Sequence, residues 1–551
     1  MTFKLDNTQK YNTSRGHLYF WAALLWIVFA SADVLWILHD RQPQGCDQAG
    51  HLIESLNFAH SIQSFSLRDF WHEWHGEVGN RGEFTYPPLY HLITGIFICA
   101  LGRPALAGVA SNELFLWILL LSVIKIGQRA FSPAVGFMAA ILVGLYSNLA
   151  QFRHEAFIDF ALTGMTSWCA WQLLKTDGFR QRRASAAFGV SIGLALLLKQ
   201  SVILFLALPV LFVVFCRRKE WDHDTGKNFI IATGAGLLVA LPWYGLQWRA
   251  VVANLVLNQR IAAIEGDPMP WTFMGAIYYP WVMSCVQIGF PLFVLAIVSA
   301  LVWLFKHKIR TTGEQLLARG VLITWIVGSI PLLTFLILNK DVRYSLPVLP
   351  AVALLTCSVV VWTRRRATKI AWCILLALCA LPYYTFVICA WPPFHHEIGF
   401  YTGQTHWLVW TDNYYYGAGP KREDWHIPEM LAEMRQASPR LTGGEPIRVA
   451  IIPFLLRFNP NSITLEALER GIPIRVTPIG NAKHLSPTDV TFSFDFLLTK
   501  TGDLGLPFLT DDANEIQRIV SNDPENFVPT GVYDLPDHSI GILYHIVKKK
   551  G

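Results

Sequence analysis

The chain has 551 residues, 53% of them hydrophobic and 15% charged, with a mean hydropathy of +0.36. Long uncharged runs recur from residue 19 to residue 391, which excludes a soluble globular protein and predicts a polytopic α-helical membrane protein. The net charge of +6 comes from short basic clusters between apolar runs, a distribution that follows membrane topology and argues against nucleic acid as a partner.

The N-terminus carries Lys4, Lys10 and Arg15 ahead of an apolar run at 18–38 with no small-residue cleavage pattern after it. This reads as a retained first helix with a cytoplasmic N-terminus, leaving residue 41 onward outside. Each later basic cluster lies between two spans and is expected inside: Lys175 with Arg180, Arg182 and Arg183; Arg217 to Lys219 with Lys227; Lys306, Lys308 and Arg310; and Arg364 to Arg366 with Lys369. Counting back from Arg180, the span 157–174 must enter from outside, so only an even number of crossings fits between residues 47 and 151. Three apolar stretches lie there, 88–101, 107–127 and 133–150. The first opens on Tyr86-Pro87-Pro88 and is too short to cross, so it becomes a juxtamembrane or re-entrant helix, and 41–106 becomes one external loop.

Further on, the run 186–216 is too long for one helix and is interrupted by Lys199-Gln200-Ser201, which predicts two short spans meeting at an external Lys199. The spans 228–248, 280–305, 315–338, 346–362 and 370–391 follow, with 249–279 as a second external loop. The total is about eleven crossings, which puts the tail outside. From residue 392 the composition changes. Helical patterns at 428–436, 461–470 and 511–520 alternate with strand patterns at 447–453, 474–478 and 490–498, and 531–535 with 540–547 reads as a hairpin. The expected domains are therefore 1–391 in the membrane and an external α/β domain at 392–551. No cysteine lies beyond residue 391, so the tail has no disulfide framework.

Sorted by predicted side, the outer surface collects Asp47, His51 and Glu54, then the segment from Arg153 to Asp159, then Lys199, and finally Lys340-Asp341-Val342-Arg343-Tyr344. Asp47 heads a segment in which Leu52, Ile53, Leu56, Ala59 and Ile62 recur at helical spacing, so a surface helix is expected there. Glu155 and Asp159 are four apart and are expected on one face of a helix. Singly, each charge reads equally as a helix cap or an interfacial charge. Together, carboxylates and cations on one side suit a reaction between a hydroxyl and a lipid-linked phosphate ester: an acid takes the proton, and Lys and Arg stabilise the leaving phosphate.

Four motifs, in order over 18–391, carry a resemblance: Asp47 in the first external loop, Tyr86-Pro87-Pro88-Leu89-Tyr90, the segment Arg153 to Asp159 entering a helix, and Arg343-Tyr344-Ser345-Leu346-Pro347. The run Gly193 to Lys199 adds a helix end closed by a lysine. The chain resembles the GT-C superfold glycosyltransferases that use polyprenyl-phosphate sugars, the group of the protein mannosyltransferases and the aminoarabinose and galacturonic-acid lipid A transferases. The resemblance implies inverting sugar transfer from a polyprenyl-phosphate carrier to a lipid, glycan or protein acceptor in the cell envelope, at the outer face of a bacterial plasma membrane. Asp47 would be the general base, Asp159 with Glu155 would position acceptor or base, and Lys199, Arg343, Arg153 and Tyr344 would bind substrate. A divalent cation held by Asp47 and Asp159 is a candidate cofactor; the family often has two adjacent acids in this loop, whereas Gln48 follows Asp47 here. The competing reading is a transporter or lipid flippase, which would carry ionisable residues at midspan and repeated halves; midspan charges are read as nearly absent.

Overall fold

The structure is a computed structural model that describes residues 7–75, 86–306, 312–393, 396–411, 419–438, 440, 444–481, 490–491 and 493–547. Lys4, Lys308, Arg310 and part of the predicted strand 490–498 lie outside the described residues. The chain forms two compact units, one of Met1–Trp36, Ser66–Ile93 and Val109–Pro420, the other of Ile37–Phe65, Thr94–Gly108 and Lys421–Gly551.

The helices run in chain order as α1 (Asn7–His39), α2 (Cys46–Gln63), α3 (Leu67–His75), α4 (Leu89–Leu101), α5 (Pro104–Ala130), α6 (Pro133–Leu145), α7 (Ser147–His154), α8 (Ile158–Thr176), α9 (Arg182–Leu196) and α10 (Val202–Arg217). They continue as α11 (His223–Glu265), α12 (Phe273–Val282), α13 (Phe290–Lys306), α14 (Gly313–Leu336), α15 (Leu349–Cys357), α16 (Val359–Trp362) and α17 (Arg366–Cys389). Among the described residues, five helices are long and apolar enough to cross a membrane: the Leu18–His39 part of α1, then α5, α11, α14 and α17. A sixth crossing forms if α6 and α7, bent by 62°, make one span. This is fewer than the eleven crossings expected. The shortfall falls on shorter or more polar helices such as α8, whose buried face carries Thr163, Thr166, Ser167 and Gln172. The exposed faces are apolar, as a bilayer requires: Leu238 on α11 is 78% exposed and Phe305 on α13 is 81% exposed.

Two sequence expectations change here. The segment 249–279 is not a loop throughout, because α11 continues to Glu265; Gly245 and Pro242 are the last breakers before Gly266, whose φ of +75° ends the helix. The span 133–150 is broken at Tyr146, which is extended at φ −63° and ψ 121°. The expected break at Lys199 is present, between α9 and α10.

α9 is held against α11 through small residues. Gly189 and Gly193 face Ala232 and Gly236, so that a Cβ at Gly193 would lie 2.6 Å from Val239 Cβ and 2.8 Å from Gly236 O. In lipid, where apolar surface gains nothing by helix association, such close backbone approach supplies the packing. This crossing fixes the helix that leads to Lys199.

The tail sheet has the order β4 (Ile474–Pro478), β3 (Ile447–Ile451), β5 (Phe496–Lys500), β7 (Ile540–Ile546), β6 (Phe527–Asp534). β3 runs parallel to β4 and β5, and β7 is antiparallel to β5 and β6. Strand alternation splits the core into two layers. Val449, Ile451, Phe496 and Leu498 pack on one face with Met430 and Leu431 of α18 (Ile427–Ala437) and Ile463 of α19 (Pro460–Glu469). Ala450 and Leu497 face Ile516 and Val520 of the helix Ala513–Ser521 on the other. α2 belongs to this unit and packs on α19, where Asn461 Nδ2 donates to Cys46 O at 3.2 Å and Ser462 Oγ to Gln44 O at 2.7 Å. The grouping therefore differs from the expected division at residue 391: 37–65 and 94–108 go with the tail, and 392–420 with the helical unit. A hairpin without a clear sequence signal, β1 (Ile398–Thr402) with β2 (Thr405–Trp410), accounts for the second change. It is tied to the helical unit by Trp281 Nε1 donating to His406 O at 2.7 Å.

Replacing Gly189 by Leu should force α9 from α11 and cost ~1–3 kcal/mol of overpacking. Thermal unfolding in detergent should show a clear drop in melting temperature. Gly226→Ala, where a Cβ meets nothing within 4 Å, should show none.

Candidate active site

At the α9–α10 break the freed carbonyls are taken up by tertiary donors. Leu89 N, at the start of α4, donates to Leu197 O at 3.0 Å, and Tyr244 OH donates to Leu196 O at 2.8 Å. The Tyr86-Pro87-Pro88 turn thus leads into a helix anchored two residues from Lys199. Lys199 Nζ lies 2.7 Å from Asp159 Oδ1, and its ammonium sits 5.0 Å from the Tyr344 ring centroid. Asp159 is in the first turn of α8 and 4% exposed; the amides of that turn favour its negative charge.

Arg343 approaches from the other side. Its Nε lies 2.9 Å from Asp341 Oδ2 and 3.9 Å from Asp159 Oδ2, and its guanidinium sits 4.9 Å from the Phe157 ring centroid. The loop that carries it is pinned along its length. Gln287 Nε2, from a π-helical segment Met283–Gln287, donates to Val342 O at 2.5 Å and Ser345 Oγ at 3.0 Å. Tyr344 OH donates to Asn339 Oδ1 at 3.1 Å, and burial raises the phenol pKa, so it serves as a wall and a donor. Lys340 Nζ caps the end of α14, donating to Thr334 O at 2.8 Å and Ile337 O at 2.6 Å. Burial pushes that ammonium down to about 8, with Asp267 working against the shift.

The structure therefore brings Asp159, Lys199, Arg343 and Tyr344 together within the helical unit. It treats the three other expected residues, Glu155, Arg153 and Asp47, differently. Glu155 is extended (φ −116°, ψ 150°) and outside α8, so it does not share a helical face with Asp159. Its Oε1 accepts from Gln151 Nε2 at 2.9 Å, and Asn112 Nδ2 donates to the carbonyls of Phe152, Arg153 and Glu155 at 3.2, 3.1 and 2.6 Å. That clamp holds the chain extended between α7 and α8.

Arg153, expected to bind substrate, is wholly buried. Its Nε and Nη2 lie 2.6 and 3.1 Å from the two oxygens of Asp33, and Nη1 donates to Gly144 O at 3.0 Å, capping the broken end of α6. His154 Nε2 lies 2.8 Å from Asp33 Oδ1 and stacks on Trp36 at 4.4 Å. Asp33 and Glu113 both lie within helices able to span, which corrects the reading that midspan charges are nearly absent. The signal was in the sequence: an acid inside an apolar run requires a partner. Asn112 and Gln287 gave no such signal, because a lone amide in an apolar run has no pattern.

Asp47 is in the first turn of α2, in the other unit, and is exposed; Gly45 is the N-cap and makes no side-chain cap bond. α2 itself is as expected, although its buried face runs through Gln48, His51, Leu52, Ser55, Phe58 and Ala59 rather than through Ile53 and Leu56. Asp159 is a poor cation ligand as arranged, since an ammonium occupies one oxygen at 2.7 Å and Arg343 flanks the other.

Asp33→Ala would leave Arg153 buried without its counter-charge and should cost ~3–5 kcal/mol. Asp33→Leu combined with Arg153→Met, which removes both charges, should recover most of the lost melting temperature.

Residues 85–245 match the family described as dolichyl-phosphate-mannose-protein mannosyltransferase. No curated protein matches the chain in sequence. Among solved structures, ArnT from Cupriavidus metallidurans bound to undecaprenyl phosphate is 12% identical with a TM-score of 0.53, covering 96% of this chain and 98% of that one. The Archaeoglobus fulgidus oligosaccharyltransferase tethered to an acceptor peptide is 12% identical with a TM-score of 0.54, covering 96% and 74%. The same enzyme in complex with Zn and sulfate matches at 13% identity and a TM-score of 0.50, covering 94% and 72%. The chain shares the fold of these enzymes, and its residues 85–245 carry the match to the mannosyltransferase family.

Proposed function

We propose that the protein transfers a sugar from a polyprenyl-phosphate carrier to an acceptor hydroxyl at the outer face of a bacterial plasma membrane, with inversion. The observation that carries this reading is the convergence of Lys199 and Arg343 on Asp159 at a helix break. An ammonium has three N–H donors, and one hydrogen bond from Lys199 Nζ is made among the described residues, to Asp159. Donors therefore remain for an anion. ArnT, bound to undecaprenyl phosphate, supports a carrier of that class.

In this reading Asp47 takes the proton of the acceptor hydroxyl. The hydroxyl oxygen attacks the anomeric carbon, the carbon–oxygen bond to phosphate breaks, and its electron pair leaves on the carrier phosphate. Lys199 and Arg343 meet the charge that develops there, which grows from the diester to the monoester and so favours the transition state over the bound donor. Asp159 holds Lys199 in place, and Asp341 holds Arg343. Glu155 and Arg153 act on the conformation of the chain that presents Asp159. No step is routed through a metal, since the Asp159 carboxylate is already met by cations. The transporter reading draws on Asp33 and Glu113 within the spans, but Asp33 and Arg153 have side chains with 0% exposure, which closes them to a transported ion.

One charge-assisted contact is worth ~1.5–3 kcal/mol, so Lys199→Ala should lower use of the lipid-linked donor about ten- to a hundredfold. Donor dependence equal to the native enzyme, in a variant that folds, removes Lys199 from the site. Asp47→Asn keeps the shape but cannot take a proton, so donor binding should survive while transfer falls by ~10² or more. Glu54→Gln, farther along α2, should be near native; transfer by Asp47→Asn at the native rate would take the base role from Asp47.

A further inference from the structure

A cleft of about 250 Å³ opens within the second unit. Its walls are residues 37–44 at and after the end of α1, the entry to α5 at 103–106, and one face of α19. Both α1 and α5 are long and apolar enough to cross a membrane. The cleft therefore lies at the ends of two helices that can span, with Ile37 and Leu38 among its lining residues and Leu38 54% exposed.

The charges inside are of both signs. Arg41 and Arg103 line it, and neither guanidinium makes a hydrogen bond or ion pair among the described residues. A guanidinium that makes no hydrogen bond in a cleft offers a fork of donors matched to phosphate. Three carboxylates line the same space. Asp40 Oδ1 accepts from Lys421 N at 2.9 Å and Glu466 Oε1 pairs with Arg470 Nε at 2.7 Å, whereas Glu469 makes no such bond among the described residues. Glu469 is exposed as a residue and lines the cleft beside Glu466. There burial and then the Glu466 carboxylate push it up to about 7, with Arg103 and Arg470 working against the shift.

We propose that this cleft binds the headgroup of a zwitterionic phospholipid of the phosphoethanolamine type, with the phosphate on Arg41 and Arg103 and the ammonium on Glu469 and Glu466. Three features select this ligand. The volume lies just below the ~300–1,000 Å³ of sites for drug-sized molecules, enough for a headgroup whose acyl chains stay outside. An anionic headgroup without an amine would satisfy the guanidinia but bring no cation to Glu469, the carboxylate of the cleft that makes no hydrogen bond or ion pair among the described residues. The apolar rim on two membrane helices gives the chains a place to run, which favours a lipid over a free phosphoamine. This site is independent of the donor cluster in the helical unit and does not rest on the proposed reaction.

Native mass spectrometry of the full chain, released from detergent with added phosphatidylethanolamine or phosphatidylglycerol of matched chains, reads the site directly. The native protein should retain phosphatidylethanolamine at least several-fold over phosphatidylglycerol. Arg41→Gln with Arg103→Gln should lower that retention about tenfold, the loss expected for charge-assisted contacts to phosphate. Glu469→Gln should remove the preference between the two lipids while leaving phosphatidylglycerol bound at least as well. These substitutions fall on exposed side chains, and an unchanged melting temperature reports an intact fold. Equal retention of both lipids by the native protein, or native retention by the double arginine variant, overturns the proposal. Displacement of the lipid by soluble glycerophosphoethanolamine at micromolar concentration would assign the cleft to a free phosphoamine and overturn the lipid assignment.

Discussion

A charge carried into an apolar helical bundle has to meet an opposite charge or leave. In the helical unit the Lys199–Asp159 contact at 2.7 Å meets that constraint, and the neighbouring structure is arranged around it. Lys199 could not continue α9 into α10 and still reach α8. The helix therefore ends at Leu196, its carbonyls are taken by Leu89 and Tyr244, and α10 starts afresh at Val202. On the facing side, Gln287, Asn339 and Lys340 fix the loop that brings Arg343 and Tyr344 to the same place. A second buried pair, Arg153 with Asp33, does comparable work beneath: it caps the bend between α6 and α7 and so sets where α8 begins.

The two pairs differ in what they leave available. Arg153 is spent on Asp33, on Gly144 O and on the Phe29 ring, and its side chain is closed to solvent. Lys199 and Arg343 are 14% and 16% exposed, and besides Asp159 and Asp341 they border on the aromatic faces of Tyr344 and Phe157. Similar residue types thus serve two purposes: the closed pair supports the fold, and the open cluster is the one we propose takes an anion. Exposure, not residue identity, separates them.

Much of this was legible in the sequence where the signal is local. The lysine interrupting 186–216 marked a break, and the break is there. The alternation of helix and strand patterns after residue 420 gave the helices and most strands of the tail, because α18 has an amphipathic period and β3 and β5 are short apolar runs buried in the sheet. Other features were hidden for physical reasons. Arg153 and Arg343 look alike in sequence, and only tertiary packing tells which one is buried. Asp33 was passed over inside the first span, although its cost there implied a partner. Glu155 and Asp159 obey a helical spacing that the chain does not use, because Asn112, some forty residues earlier, holds the intervening carbonyls in an extended form. The hairpin β1–β2 mixes polar and aromatic residues without clean alternation, so neither period emerges.

The central claim is that the open cluster of the helical unit receives the carrier phosphate. It is tested most directly by an experimental structure of the full chain in nanodiscs with undecaprenyl phosphate. The account predicts phosphate density within ~3 Å of Lys199 Nζ, the distance of a charge-assisted hydrogen bond, with the Arg343 guanidinium on the same group. A phosphate bound elsewhere, with Lys199 still closed on Asp159 and Arg343 on Asp341, would contradict it.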